Sequence, residues 1–411
     1  MKIAIIGGGP AGMMAAFTAA QSREEVVLCE KNNKLGRKLY ITGKGRCNLT
    51  NDITPEEFLK NVISNPKFLY SAINRYTPQE TMLFFENHGC TLKTERGGRV
   101  FPLSDHSSDV IKTFEKALAN SKVNIKYDCK VKDLKQAKDG FLIECDNNYE
   151  FFSDCVIIAC GGMSYPATGS TGDGYSLAQK LGHTIIKPRP ALVPIMVKED
   201  VSSLQGLSLK NVSLTAKNGN KTISSLFGEM LFTDKGISGP IVLSTSSIIN
   251  SYPLDKIKLY IDLKPALDQN KLDERILRDF AKYANKQYKN ALDDLLPKSL
   301  IPEVINRSKI DEDKKVNIIT KAERLELISV LKEFELTPIS LDTFSRAIVT
   351  GGGVNTKEID PSTMESKLIK RLFFAGEVMD VDAFTGGYNI QIAISSGYLA
   401  GKSAQKLYNN N

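Results

Sequence analysis

The run Ile3-Ala4-Ile5-Ile6-Gly7-Gly8-Gly9-Pro10-Ala11-Gly12 leaves few choices for the fold of the chain around it. Four apolar residues read as a buried parallel strand, and Gly7, Gly9 and Gly12 fit the spacing G-x-G-x-x-G. A helix is expected at once, over Ala11 to Ala20. Each glycine has its own task. Gly7 permits the tight turn, Gly9 lets the backbone approach a pyrophosphate, and Gly12 lets helix and strand pack closely. Free N–H groups and the positive dipole end of the helix then face the phosphates, with Pro10 and Ala11 in its first turn. A second apolar run, Val26-Val27-Leu28-Cys29, ends in Glu30, placed to accept from a ribose 2′-OH. Strand, helix and acid together make a dinucleotide site, and the acid disfavours a 2′-phosphate. NAD and FAD remain open at this point.

Composition narrows the partners. The 411 residues allow two or three domains, and the net charge of +7 is modest for that length. Lys31, Lys34, Arg37, Lys38, Lys44 and Arg46 fall in one stretch without an acid, directly after the ribose-binding position. An anionic cofactor explains that stretch more economically than nucleic acid, which calls for a basic stripe or a motif that is not found. The seven cysteines show no C-x-x-C pair, and His88, His106 and His183 lie far apart, so no metal site is expected. Scattered cysteines suit a reducing compartment. No run of 18 apolar residues exists and the glycines interrupt the apolar start, so a cytoplasmic protein without a membrane span is expected.

Residues 1–30 read as β-α-β and 31–51 as a basic, glycine-rich loop. Thr54 to about Gly89 reads as helical, with Thr54-Pro55 and Thr77-Pro78 as starts. Asp109 to Ala119 reads as another helix, followed by short strands to Ile158 and a Lys138-Asp139-Gly140 hairpin turn using positive φ angles. The expected division is a first part of a cofactor domain over 1–190, a β-rich substrate domain over 191–266, a helical insert over 267–337, and the second part of the cofactor domain over 338–411.

Two distant segments favour FAD. Val156-Ile157-Ile158-Ala159-Cys160-Gly161-Gly162 and Phe373-Phe374-Ala375-Gly376-Glu377 are buried strands ending in small residues, the second with an acid. An NAD domain uses only the first fingerprint. FAD extends past the strand ends and needs a second approach point, which Gly376 and Glu377 supply. Ala159 to Gly162 and Gly376-Glu377 resemble the second and C-terminal motifs of the two-dinucleotide-binding-domain flavoproteins, which usually carry Asp at the position of Glu377. Asp380 and Asp382 lie near enough to share that role.

The resemblance sharpens in Thr42-Gly43-Lys44-Gly45-Arg46-Cys47-Asn48-Leu49-Thr50-Asn51, which looks like the T-G-x-G-R-C-N-x-T-N signature of the BaiN/YhiN-like (aminoacetone oxidase) flavoprotein family. Gly162 to Pro166, Gly169 to Tyr175, Thr233 to Pro240, Val349 to Val354 and Thr385 to Gln391 complete a match spanning nearly the whole chain. It implies an α/β fold: a Rossmann-like, glutathione-reductase-like FAD-binding domain interrupted by a β-barrel-like domain and a small helical one. Thr42, Gly43 and Gly45 are read as presenting N–H groups to phosphate, with Arg46 and Arg37 adding charge and Lys38 either joining them or staying solvated. Lys31, Asn48, Val131, Ala159, Cys160, Gly161, Gly376, Glu377 and Asp380 complete the candidate cofactor contacts. Gly387-Tyr388-Asn389-Ile390-Gln391 starts a closing helix whose N–H groups are read as facing the flavin pyrimidine. Cys47 is either a thiol activated by its positive loop or a packing residue, and the lack of a partner favours packing.

For the reaction, hydride transfer between flavin N5 and a small or steroid-like enone, with NAD(P)H as donor, is the leading reading. Gly351-Gly352-Gly353 lacks a third glycine at the right spacing, so any NAD(P)H binds transiently. The alternatives are an amine or aminoketone oxidase using oxygen, and a flavin-containing RNA-binding or RNA-modifying protein suggested by the basic surplus. No catalytic set stands out; Tyr165, Tyr388 and Arg99 are the candidate proton donors.

Overall fold

The computed structural model describes residues 1–22 and 24–409, in two compact units: Met1–Ala191 with Thr343–Asn411, and Leu192–Asp342. The first unit is built on a parallel sheet in the order Leu372–Phe374, Cys155–Ile158, Lys2–Ile6, Glu25–Cys29, Asn124–Lys126. Apart from Lys2 at one end, its central strands are apolar because both faces are covered, the pattern expected of parallel sheets. Helix Pro10–Ala19 lies against the closing helix Tyr388–Asn409. Gly397 and Gly401 make that contact possible, since a Cβ there would stand 2.3 Å from the Ala11 carbonyl oxygen and 2.5 Å from that of Ala15.

The expected helical stretch from Thr54 is broken. Helices Pro55–Leu59, Tyr70–Arg75 and Pro78–Asn87 form, and the Thr54 and Thr77 capping boxes start the first and last. Asn65 takes a left-handed φ of 53° before Pro66, where proline disfavours the helical conformation. The helix read at Asp109 runs over Ser107–Asn120. The expected hairpin also forms, but Ala137 pairs with Gly140, and neither Asp139 nor Gly140 has a positive φ. Gly140 is required for another reason: a Cβ would lie 2.3 Å from the Ser153 carbonyl oxygen.

Strand Ile185–Ala191 leads out of this unit and Val349–Val354 leads back in, as antiparallel neighbours. The triple glycine 351–353 therefore lies inside a strand, not at a strand-to-helix turn. The second unit has a seven-stranded antiparallel sheet whose longest pair is Ser208–Asn218 with Lys221–Thr233. Helices Gln269–Lys282, Ile301–Ser308 and Lys321–Lys332 contribute Leu272, Ile276, Val304 and Leu327 to the same core as the sheet's Leu214, Phe232 and Ile261. The β-rich and helical stretches that the sequence separates thus share one hydrophobic core. Among the described residues no helix is long and apolar enough to cross a membrane.

Candidate functional site

The glycine turn is fixed by contacts at atomic range. Gly7 has φ 108°, and a Cβ on Gly12 would stand 1.8 Å from the Gly7 carbonyl oxygen. A Cβ on Gly9 would meet nothing within 4 Å, so the space it leaves opens onto a cleft. Helix Pro10–Ala19 starts there without a side-chain cap, leaving its first N–H groups for a ligand. The cleft, with the open solvent at its mouth, spans about 750 Å³ and includes Gly7, Gly9, Pro10, Glu30, Lys31, Arg37, Lys38, Val131, Ala159 and Cys160 in its wall. Glu30 is 7% exposed and accepts from the Gly8 N–H at 2.7 Å and from the Asn32 N–H at 2.8 Å. Those bonds aim its carboxylate at the cleft, where a ribose hydroxyl can donate to it.

A second cleft of about 640 Å³ shares Gly9, Pro10, Lys38, Leu39 and Ala159 with the first. Ala11, Thr42, Glu377, Asn389 and Ile390 complete its functional lining, beside the apolar Ile348, Val349 and Ala393. One elongated site therefore has a carboxylate at each end and an uncapped helix between. That arrangement fits FAD, whose two ends both need an approach.

Lys38 is neither solvated nor free for phosphate. Its Nζ lies 2.7 Å from Glu377 and 2.5 Å from the Ser164 hydroxyl. Glu377 also accepts from Ser164 at 2.8 Å and from the Thr350 N–H at 2.8 Å, while the Thr350 hydroxyl accepts from the N–H groups of Met163 and Ser164. Ser164 and Thr350 were not legible as site residues, because only the fold brings positions 38, 164, 350 and 377 together. Glu377→Ala removes the acid paired with Lys38 and should lower stability by about 1–3 kcal/mol, with a smaller loss in Glu377→Gln. Urea midpoints of the holoprotein measure both, and equal losses would refute a charge-dependent role.

Three of the six cations of the basic loop are paired with acids of the same unit. Lys31 pairs with Asp173 at 2.5 Å, and Arg46 pairs with Glu95 and, at 2.7 Å, with Asp105 while covering the Phe101 ring. Arg37 donates to Asn32 at 2.7 Å. Arg46 lines neither cleft, contrary to its reading as a phosphate donor, because acids distant in sequence claim its guanidinium. Gly43, Gly45, Cys47 and Asn48 also lie outside both clefts. Asn48, Thr50 and Asn51 tie the loop to the start of the closing helix. With its amide oriented to satisfy both groups, Asn48 accepts from the Gly387 N–H at 3.1 Å, and Thr50 donates to Gln391 at 2.6 Å. Asn51 donates to the Gly386 carbonyl at 3.1 Å. Cys47 is fully buried with φ 58°, and burial pushes its thiol up to about 12, away from the activated-thiol alternative. Cys160 is pushed up to about 12 in the same way.

Other candidates are placed behind the site. Tyr388 packs edge-on against Phe58, Gln391 is buried and donates to the Tyr76 carbonyl and Ser395, and Asp380 accepts from Asn65. Gly161 and Gly376 line neither cleft; both hold positive φ, and a Cβ on Gly376 would stand 2.8 Å from that of Ala11. Of the three candidate proton donors, Tyr165, Tyr388 and Arg99, none lines the shared cleft.

A family model described as the HI0933-like protein Rossmann domain matches residues 1–403. The chain is 34% identical to a 3-dehydro-bile acid delta(4,6)-reductase of Clostridium scindens over 98% of both chains. It is 32% identical to a ribosomal RNA dihydrouridine synthase of Haemophilus influenzae, again over 98% of both. With the Escherichia coli protein of the same description it shares 31% identity, over 96% of this chain and 95% of that one. Among solved structures, a 3-ketosteroid-delta4-(5alpha)-dehydrogenase of Rhodococcus jostii RHA1 has the same fold, with a TM-score of 0.53 at 15% identity, covering 98% of this chain and 96% of that one.

Proposed function

Since the chain belongs to the HI0933-like Rossmann-domain family, we propose that this FAD-dependent oxidoreductase reduces a carbon–carbon double bond conjugated to a carbonyl, with NAD(P)H as electron donor. The carrying observation is that relatives with different names share this one bond type. A delta(4,6)-reductase of a 3-dehydro steroid saturates bonds conjugated to the C3 carbonyl, and dihydrouridine arises when the uracil double bond, conjugated to a ring carbonyl, is saturated. The chemistry that FAD supplies here is hydride transfer. Glu30 binds the ribose, the helix start at Pro10 the pyrophosphate, and Glu377, held by Lys38 and Ser164, the ribityl hydroxyls. The first turn at Asn389 and Ile390 offers N–H groups to the flavin pyrimidine, favouring negative charge there.

We take uracil in ribosomal RNA as the substrate, which reopens a class that the sequence alone disfavoured. Two nearly full-length relatives carry that activity in their descriptions. The basic surplus also sits with the flavin: the first unit has 32 basic and 26 acidic residues, the second 22 and 21. A surplus of that kind suits a polyanion. The second reading, a steroid-like enone, rests on the bile-acid reductase.

Anaerobic mixing with NADPH or NADH should bleach the flavin, and adding unmodified ribosomal RNA should restore its colour while uridine gains two hydrogens by mass spectrometry. Recovery with a 3-oxo-delta4 steroid but not with RNA would select the second reading. Bleaching by an amine, with peroxide formed in air, would overturn both in favour of an oxidase.

A further inference from the structure

Cys29, Cys129 and Cys145 are far apart in the chain and meet in the fold. Cys29 ends a central strand of the parallel sheet, Cys129 follows its last strand, and Cys145 ends the hairpin strand Gly140–Cys145. The Sγ atoms all lie within 4.8 Å of one another, and the residues are 1, 2 and 5% exposed. Backbone bonds fix the convergence: the Cys129 N–H donates to the Glu30 carbonyl at 3.0 Å and that of Cys145 to the Tyr149 carbonyl at 2.9 Å. Cys29 and Cys129 also line the cleft at the adenosine end.

Three convergent thiols exceed what packing requires. Cys47 and Cys155 bury single thiols, with burial the main influence on each. In the cluster the Cys129 and Cys145 sulfurs lie 2.9 Å apart, and Cys29 completes a triangle of soft donors of the kind that zinc takes.

We propose that Cys29, Cys129 and Cys145 form a three-thiolate site for a thiophilic divalent cation of the zinc type, on the wall of the adenosine-end cleft. Zinc–sulfur bonds of about 2.3 Å set sulfurs roughly 3.8 Å apart. Cys129 and Cys145, now 2.9 Å apart, would separate by about 0.9 Å on binding. Since Cys29 and Cys129 line the cleft, a water from it can take the fourth position of a tetrahedron. Binding releases the protons of the thiols still protonated. The site is independent of the reductase reading, since it needs neither hydride donor nor substrate.

The test uses reduced holoprotein loaded with zinc or cobalt(II) and freed of excess metal by gel filtration. One metal per chain is expected, with thiolate-to-cobalt charge transfer in the near ultraviolet. Cys29→Ser, Cys129→Ser and Cys145→Ser should each abolish retention, while Cys90→Ser retains it. Zinc should also shield three of the seven cysteines from alkylation in the unaltered chain, a readout that survives if a variant fails to fold. No retained metal, retention unchanged in all three variants, or a Cys129–Cys145 disulfide in protein isolated under reducing conditions would overturn the proposal.

Discussion

Gly12→Val is expected to yield a protein that purifies without flavin colour. The first atom of any side chain at this position would stand 1.8 Å from the Gly7 carbonyl oxygen, so the turn and the helix must part. Overpacking of that kind costs about 3 kcal/mol, the upper end of its usual range. It also displaces the N–H groups of Ala11 and Gly12 from the place proposed for the pyrophosphate. Gly9→Ala makes the contrast. Its Cβ meets no protein atom within 4 Å, so the apoprotein should keep its stability while FAD affinity falls at least about tenfold. FAD titration and urea unfolding of both apoproteins separate the two effects. Loss of apoprotein stability in Gly9→Ala, or full flavin content in Gly12→Val, would refute these assignments.

The second large effect concerns pH. Asp382 is 1% exposed, and its Oδ2 has no partner among the described residues. Burial pushes its carboxyl up to about 6, against partial relief by Ser64. An acid raised in the folded state binds its proton more tightly there than in the unfolded chain. Stability therefore falls as pH rises from about 4 to about 6, and the full penalty holds above that. The shift from 3.8 to about 6 corresponds to about 3 kcal/mol. Asp382→Asn should recover much of it at pH 7.5 and lose that slope, bringing its stability near that of the unaltered protein at low pH. Parallel stability-versus-pH curves for the two proteins would contradict this.

The residues that announce themselves in sequence are those whose partners are local. Gly7, Gly12 and Glu30 act within one β-α-β unit, so their spacing already states their geometry. Thr54 and Thr77 cap helices three residues on, and both capping boxes form. The misreadings come from long-range pairing. The stretch from Lys31 to Arg46 contains no acid, yet Asp173, Glu377, Glu95 and Asp105 answer three of its cations from far along the chain. Arg46 thereby lies outside both clefts, and Lys38 pairs with Glu377. Cysteine spacing is likewise silent on the meeting of Cys29, Cys129 and Cys145, which the fold brings together from separate elements without any C-x-x-C.

The order of the parallel sheet has a consequence for biosynthesis. Strand Cys155–Ile158 lies between Lys2–Ile6 and Leu372–Phe374, so one of its edges has no partner until the chain has grown by more than two hundred residues. At the usual rate of translation that interval lasts roughly 10–40 s. Glu377 and the helix from Tyr388 that line the second cleft are made later still. A nascent chain can shape the first cleft early, but it completes the second only once Glu377 and the helix from Tyr388 have been made, and until then its apolar half-sheet is a natural client for a chaperone.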